Sequence, residues 1–267
     1  AKILWWEIGK PIQLVLSSRT RIVAISHASN VLGSIYPIRQ ISELVHVVTC
    51  GKARVVVDGV AAVPHRPASM MDAGADWYVI SGHKCFGPHI GALCGVINAA
   101  TECSRASWKS KVVSCEFPDN IIAYHDWEKG TVNYESCAGV LGLGMYLQSL
   151  ARDGQELPIS DSVVQSLSVD SVTEAYKKIV CVEIPTRSEL LSYLYACSNV
   201  QVLEESDVSE NSHSRLPVIS FVHTKISSHS IVQWCLGHKI SCRNGCFLSK
   251  KVLERFHVRD IDDGIVR

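Results

Sequence analysis

The sequence has no excess of charge: 26 Lys and Arg balance 26 Asp and Glu, for a formal net charge of +0. Without a basic surplus there is no electrostatic footprint for nucleic acid or an anionic membrane. No apolar run reaches the roughly 18 residues that a membrane span requires. The N-terminal stretch does not read as a signal peptide, because Lys2, Glu7 and Lys10 interrupt it and no small-residue cleavage site follows. Internal repeats and low-complexity tracts are also missing. What is present is apolar. Hydrophobic residues make up 47% and charged residues 19%, enough for a sizeable core and too apolar for disorder. With 267 residues the chain can form one large domain or two small ones. Its 11 cysteines, odd in number and scattered, read as free thiols in a reducing, cytoplasmic setting.

Strand-like and helix-like segments alternate in the first half. Ile22–Ser26 is a short β-branched run, Arg54–Asp58 and Asp76–Ser81 are buried-type strands, and Gly91–Val96 is a fourth. Ile38, Ile41, Leu44, Val45 and Val48 recur at helical spacing and define one apolar face over Ile38–Val48. This alternation predicts an α/β layered fold with a mostly parallel sheet. Ser136–Leu150 is expected to be a largely buried helix. The polar stretch Arg152–Asp161, with Gly154 and Pro158, marks a domain boundary, giving a large domain over 1–152 and a small α+β domain over 162–267. In the small domain, helices are expected at Ser171–Ile179, Ser188–Ala196, His229–His238 and Leu248–Phe256. Strands are expected at Val200–Leu203, Leu216–His223 and Lys239–Cys242.

Ligands of open parallel sheets sit at the carboxyl ends of the strands. Here those ends carry Ser26-His27, Asp58-Gly59 and Ser81-Gly82-His83-Lys84. Lys84 lies in a turn-rich loop preceded by apolar and aromatic residues, where an amine can be desolvated, which lowers its pKa and makes it nucleophilic. On the local sequence alone a surface lysine is the favoured reading. Asp58 closes an otherwise apolar strand, where a carboxylate needs a cationic or donor partner. A protonated pyridine nitrogen would serve, and so would a capped Gly59 turn.

Three blocks stand in fixed order: His27-Ala28-Ser29-Asn30-Val31-Leu32-Gly33; Val57-Asp58-Gly59 with Ala62-Val63-Pro64-His65; and Tyr78-Val79-Ile80-Ser81-Gly82-His83-Lys84 with Gly87-Pro88 and Gly91. Together they resemble the class V aminotransferase/cysteine desulfurase family of pyridoxal-phosphate (PLP) enzymes, in its cysteine-desulfurase-like, isopenicillin-epimerase-like branch. Further similarity lies in Pro88-His89-Ile90-Gly91, in Trp127-Glu128 with Gly130-Thr131 and Asn133-Tyr134-Glu135, and in Asp263-Gly264-Ile265-Val266-Arg267. The resemblance extends from Trp5 to about Leu150 and is weaker beyond. It implies a PLP-dependent transferase fold of type I, PLP as cofactor, and action on a small α-amino acid through an external aldimine. It also implies a homodimer. By the same resemblance Lys84 would carry the cofactor and move the Cα proton, and Asp58 would face the ring nitrogen. Ser81 and His83 would contact the phosphate, and Thr131 would reach the phosphate of the neighbouring subunit. Asn30 would lie near the ring hydroxyl and the substrate carboxylate, and Arg267 would bind that carboxylate as a bidentate fork. Arg243 is expected near the mouth of the site. His27 and His65 read as structural.

The sequence departs from the family pattern in places. The segment that precedes Trp5-Trp6 in relatives is missing and the chain stops at Arg267, as if truncated at both ends. Ala61 stands where many relatives have a Gln that bonds the ring oxygen. The family's persulfide cysteine falls on Leu248, with Cys246 two residues early, so Cys246 is expected to be dispensable. Two other readings are open. One is a truncated, catalytically inactive PLP-fold protein. The other is zinc held by Cys235, His238, Cys242 and Cys246, four soft ligands within 12 residues.

Overall fold

The structure, a computed structural model, describes residues 2–7, 9–100, 131–154, 168–204 and 215–267. Two compact units are present, Ala1–His27 with Pro37–Val172, and Ala28–Tyr36 with Thr173–Arg267. Among the described residues no helix is long and apolar enough to cross a membrane.

The first unit is built on a four-stranded sheet in the order β1 (Ile22–Ser26), β2 (Arg54–Asp58), β3 (Trp77–Ser81) and β4 (Gly91–Gly95). The first three strands are parallel and β4 runs antiparallel to β3, a mixed sheet that is mostly parallel. Register places Ser26 opposite Asp58, and Asp58 opposite Val79, so β3 carries Ser81 two residues further along. Valines suit these strands because a branched Cβ packs well on a pleated surface. Val55 and Val57 are fully buried, each burial contributing roughly 1.5–3 kcal/mol. Helix α1 (Ile38–Val48) turns Ile38, Ile41 and Val45 inward as its spacing predicts, with Leu44 and Val48 half-buried. Asp76 is buried and locks this layer. It accepts from His46 Nε2 at 2.9 Å, Arg54 NH1 at 2.9 Å and Val55 N at 2.7 Å. Helix α2 (Tyr134–Ala151) is capped by Asn133, whose Oδ1 accepts from Ser136 N. It departs from expectation in burial: only Leu147 and Gln148 are buried, while Tyr134, Val140, Leu141 and Tyr146 are exposed. Its apolar side chains surround the helix, and the described part of the unit covers one side only.

The second unit pairs β5 (Val200–Val202), β6 (Phe221–His223), β8 (Ile265–Val266) and β7 (Asn244–Gly245) in that order, antiparallel throughout. Val31, Leu32, Leu203, Leu253, Val258 and Ile265 form its core. Segment 28–36 is tied in by Ser220 Oγ donating to Val31 O at 2.6 Å. Gly33 is required there. Its φ is +73°, and a Cβ would lie 3.0 Å from two backbone oxygens, those of Leu216 and Val218.

Three expectations for this unit need correction. The two helices around Pro185 are one helix, α3 (Val169–Ala196). A proline removes a single ladder bond, and the turns on either side carry the helix through. The strand expected at Lys239–Cys242 is a turn, because Lys239 adopts a left-handed φ of 62° and Ile240 N returns to Cys235 O. The strand expected at Leu216–His223 shrinks to β6, since Pro217 cannot donate to a ladder. Helices α4 (Ser228–Gly237) and α5 (Lys250–Arg255) lie where sequence periodicity places them, α5 being shorter than expected. The middle of the expected domain boundary, residues 155–161, lies outside the described residues, as do Trp127, Glu128 and Gly130.

Candidate active site

The residues singled out from sequence fall into two groups, one in each unit. In the first unit they cluster at the carboxyl ends of β1, β2 and β3. Asp58 ends β2 and is exposed, not buried as its apolar strand implied. One carboxylate oxygen, Oδ1, accepts from Val60 N at 2.9 Å, closing a turn over Gly59. His27, the residue after β1, donates its backbone N–H to Asp58 O at 2.8 Å. Its Nδ1 meets the hydroxyl of buried Tyr78 at 2.5 Å, with the rings edge-on at 84°. Burial pushes the His27 pKa below its ordinary value, favouring neutral imidazole. The Tyr78 ring has room because its neighbour is Gly59: a Cβ there would lie 2.0 Å from Tyr78 Cε1. Tyr78 opens the third block of the family resemblance, but the sequence assigns it no role; the signal for its position is the glycine that follows Asp58.

After β3 the chain enters a single 3-10 turn, Gly82–Cys85. Gly82 is enclosed, since a Cβ would come within 2.7 Å of Pro88 O. The turn presents Ser81, His83 and Lys84. Ser81 Oγ lies 2.9 Å from His83 Nδ1, and the His83 ring stacks on His89 at 4.9 Å between centroids. Lys84 is exposed, the reading that the local sequence favours, and among the described residues its amine makes no hydrogen bond or ion pair. The next residue, Cys85, is buried, and burial pushes its thiol up. Thr131 is exposed, three residues ahead of α2.

The second group belongs to the other unit. Asn30 donates from Nδ2 to Phe247 O at 3.2 Å, and its Oδ1 accepts from Ser249 Oγ at 3.3 Å. Arg267 donates from NH1 to Asn30 O at 3.0 Å, and its guanidinium lies 4.0 Å over the Phe247 ring. Burial, and then the neighbouring Arg243, hold the Arg267 pKa below the usual guanidinium range. Cys246 is half-buried and packs against the Leu203–Leu253–Ile265 core. Of the four soft residues between 235 and 246, Cys235 and Cys242 meet. Burial and the Cys235 thiol both raise the Cys242 pKa. His238 instead stacks on Trp234, 4.0 Å between centroids. Among the described residues no group of three or more His, Cys, Asp and Glu side chains is arranged to hold a metal ion.

The profile of the family described as Aminotransferase class-V matches residues 8–157, more than half of the chain. The chain belongs to the class-V aminotransferase family. An aminotransferase-like protein of Gibberella zeae is 28% identical over the whole of this chain and 61% of its own length. A cysteine desulfurase of Synechococcus elongatus is 35% identical over 54% of this chain and 23% of its own length. Among solved structures, the apo cysteine desulfurase of Thermococcus onnurineus NA1 superposes with a TM-score of 0.59 at 18% identity, covering 92% of this chain and 54% of that one. A NifS-like protein of Rickettsia africae gives 0.60 at 18% identity over 96% of this chain and 58% of that one. The chain thus spans little more than half the length of these structures. The class-V aminotransferase chain shares their fold, the type I architecture of PLP-dependent transferases.

Proposed function

We propose that this class-V chain supplies the cofactor-binding and substrate-binding residues of a cytoplasmic, homodimeric, PLP-dependent enzyme, cysteine-desulfurase-like, that acts on a small α-amino acid. The observation that carries this reading is the donor set at the strand ends: an unpaired amine (Lys84), an exposed carboxylate (Asp58), and a hydroxyl–imidazole pair (Ser81 and His83). Those groups fit PLP chemically. An amine suits its aldehyde, a carboxylate its protonated ring nitrogen, and hydroxyl and imidazole its phosphate. When bound, the cofactor supplies an electron sink for negative charge at a substrate Cα.

The chain's own residues do the rest. Lys84 Nζ holds the cofactor and then accepts and returns the Cα proton, a task that needs an amine with no competing partner. Asp58 keeps one carboxylate oxygen on the Val60 N–H, which fixes the other for a cationic nitrogen. Neutral His27, tied to Tyr78, positions the backbone beside Asp58 without adding a competing positive charge. Ser81 and His83 bind phosphate, assisted by Thr131 of a second subunit. Arg267 takes the substrate carboxylate, its plane steadied by Phe247 and by Asn30 O. Asn30, whose backbone oxygen accepts from Arg267 NH1, orients that arginine. Cys246, held against the apolar core, is dispensable for the chemistry at Cα.

The test is cofactor retention. After incubation with PLP and removal of the excess, the chain is expected to keep visible absorbance that changes on adding a small L-amino acid. Lys84→Ala should lose both. A wild-type chain that elutes colourless, or a Lys84→Ala variant that behaves as wild type, refutes the reading.

A further inference from the structure

Beyond the end of β7 and β8 the pairing continues by one more pair. Arg243 N donates to Arg267 O at 2.9 Å, and Arg267 N donates to Arg243 O at 2.8 Å. Two residues that exchange both backbone bonds are directly opposed in an antiparallel ladder, and their side chains leave the same face. Two guanidinium groups therefore share one face of this sheet. Like charges so placed repel and weaken the pairing. Among the described residues neither arginine forms an ion pair with a carboxylate.

The nearby acid is committed elsewhere: both Asp263 oxygens accept from the first turn of α4, at Ser228 N and His229 N (2.9 Å to the latter). Arg267 spends one donor on Asn30 O, and Arg243 has no hydrogen-bond partner for its side chain among the described residues. Arg243 is exposed, so its cationic head is accessible. The depressed Arg267 pKa, caused by burial and then by Arg243, is a further sign that the two charges feel each other.

We infer that Arg243 is a specificity residue: with Arg267 it forms a double cationic clamp for an amino acid whose side chain ends in a second carboxylate. This rests on the reading in which Arg267 binds the substrate α-carboxylate. One α-carboxylate neutralises one guanidinium. The opposed partner then remains an unpaired cation one cross-strand spacing away, about 5.5 Å between Cα atoms. A second carboxylate in the same ligand satisfies it with charge-assisted bonds. The ladder repulsion is relieved only when both are filled, so a dicarboxylate gains where a monocarboxylate does not.

The experiment is isothermal titration of the chain with succinate and with butyrate, ligands that share a carbon count and differ in the second carboxylate. Arg243→Ala, Arg243→Lys and Arg267→Ala are measured alongside, each checked for folding by circular dichroism. Succinate is expected to bind at least tenfold more tightly than butyrate, a difference of about 1.4 kcal/mol. Arg243→Ala should bring succinate down to the affinity of butyrate and leave butyrate within twofold. Arg243→Lys, which keeps the charge without the fork, should recover part of the preference. Equal binding of the two acids overturns the inference. So does an equal loss of both in Arg243→Ala, which would mean that the pair closes on one carboxylate. If neither acid binds, the α-carboxylate role of Arg267 fails with it. Cofactor capture at Lys84, read separately, would still stand.

Discussion

Replacing Tyr78 with phenylalanine removes the hydroxyl that bonds His27 at the strand ends. The Tyr78 ring is buried, and Phe refills the same space above Gly59, so almost no cavity forms. What disappears is the hydroxyl that meets His27 Nδ1 at 2.5 Å. A neutral hydrogen bond contributes about 0.5–1.5 kcal/mol net, and a buried group left without its partner costs about 1–3 kcal/mol. His27 is half-buried, so water reaches part of the imidazole, and the expected loss is about 1–2 kcal/mol. Urea unfolding at pH 8, where the imidazole is neutral in both states, reads that loss directly. A double-mutant cycle with His27→Ala should give a coupling of at least about 0.5 kcal/mol. A Tyr78→Phe loss below about 0.5 kcal/mol, the range of ordinary surface changes, or a coupling near zero, would refute the pairing as a source of stability.

The same histidine sets an acid limit. Its folded pKa lies below the unfolded value near 6.5, so the unfolded chain takes up the proton first. Its contribution is complete above about pH 6.5 and lost as pH falls towards the folded pKa; urea midpoints that fall no less steeply in His27→Gln than in wild type would contradict this. Gly33→Ala should cost about 2 kcal/mol or more, from the left-handed φ and the two oxygens facing the new Cβ. Thermal denaturation at the wild-type midpoint would disprove that. Asp58→Asn keeps the turn, since an amide oxygen can accept from Val60 N, so turnover should fall further than PLP retention. Near-wild-type turnover would make Asp58 a turn former only. Cys246→Ser should keep the wild-type rate of amino-acid turnover, and loss of sulfide release from L-cysteine in that variant alone would establish the thiol as the sulfur acceptor.

Much of the first unit is legible in the sequence. The β-branched runs of β1 to β3 and the 3.6-residue spacing of α1 are local patterns, and local patterns survive folding when they agree with the tertiary fold. The strand-end donors follow from them, because a parallel register aligns the carboxyl ends. What could not be read locally is contact across distance. His27 and Tyr78 meet across 51 residues, and Arg243 opposes Arg267 only once β7 and β8 are in register. The exposure of Asp58 was hidden for a related reason: apolar neighbours along β2 alternate between the faces of the sheet, leaving the strand-end residue outside. In the second unit, two-residue strands carry no periodicity, and the left-handed backbone at Lys239 turns an apparently extended run into a bend.

The central claim is that Lys84 is the amine that holds the cofactor. Borohydride reduction of the chain after incubation with PLP, followed by peptide mapping, tests it most directly. A phosphopyridoxyl label on the peptide containing Ser81-Gly82-His83-Lys84, absent from Lys84→Ala while its circular dichroism matches wild type, is the predicted result. A label on another lysine, or equal labelling of the Lys84→Ala variant, would contradict it.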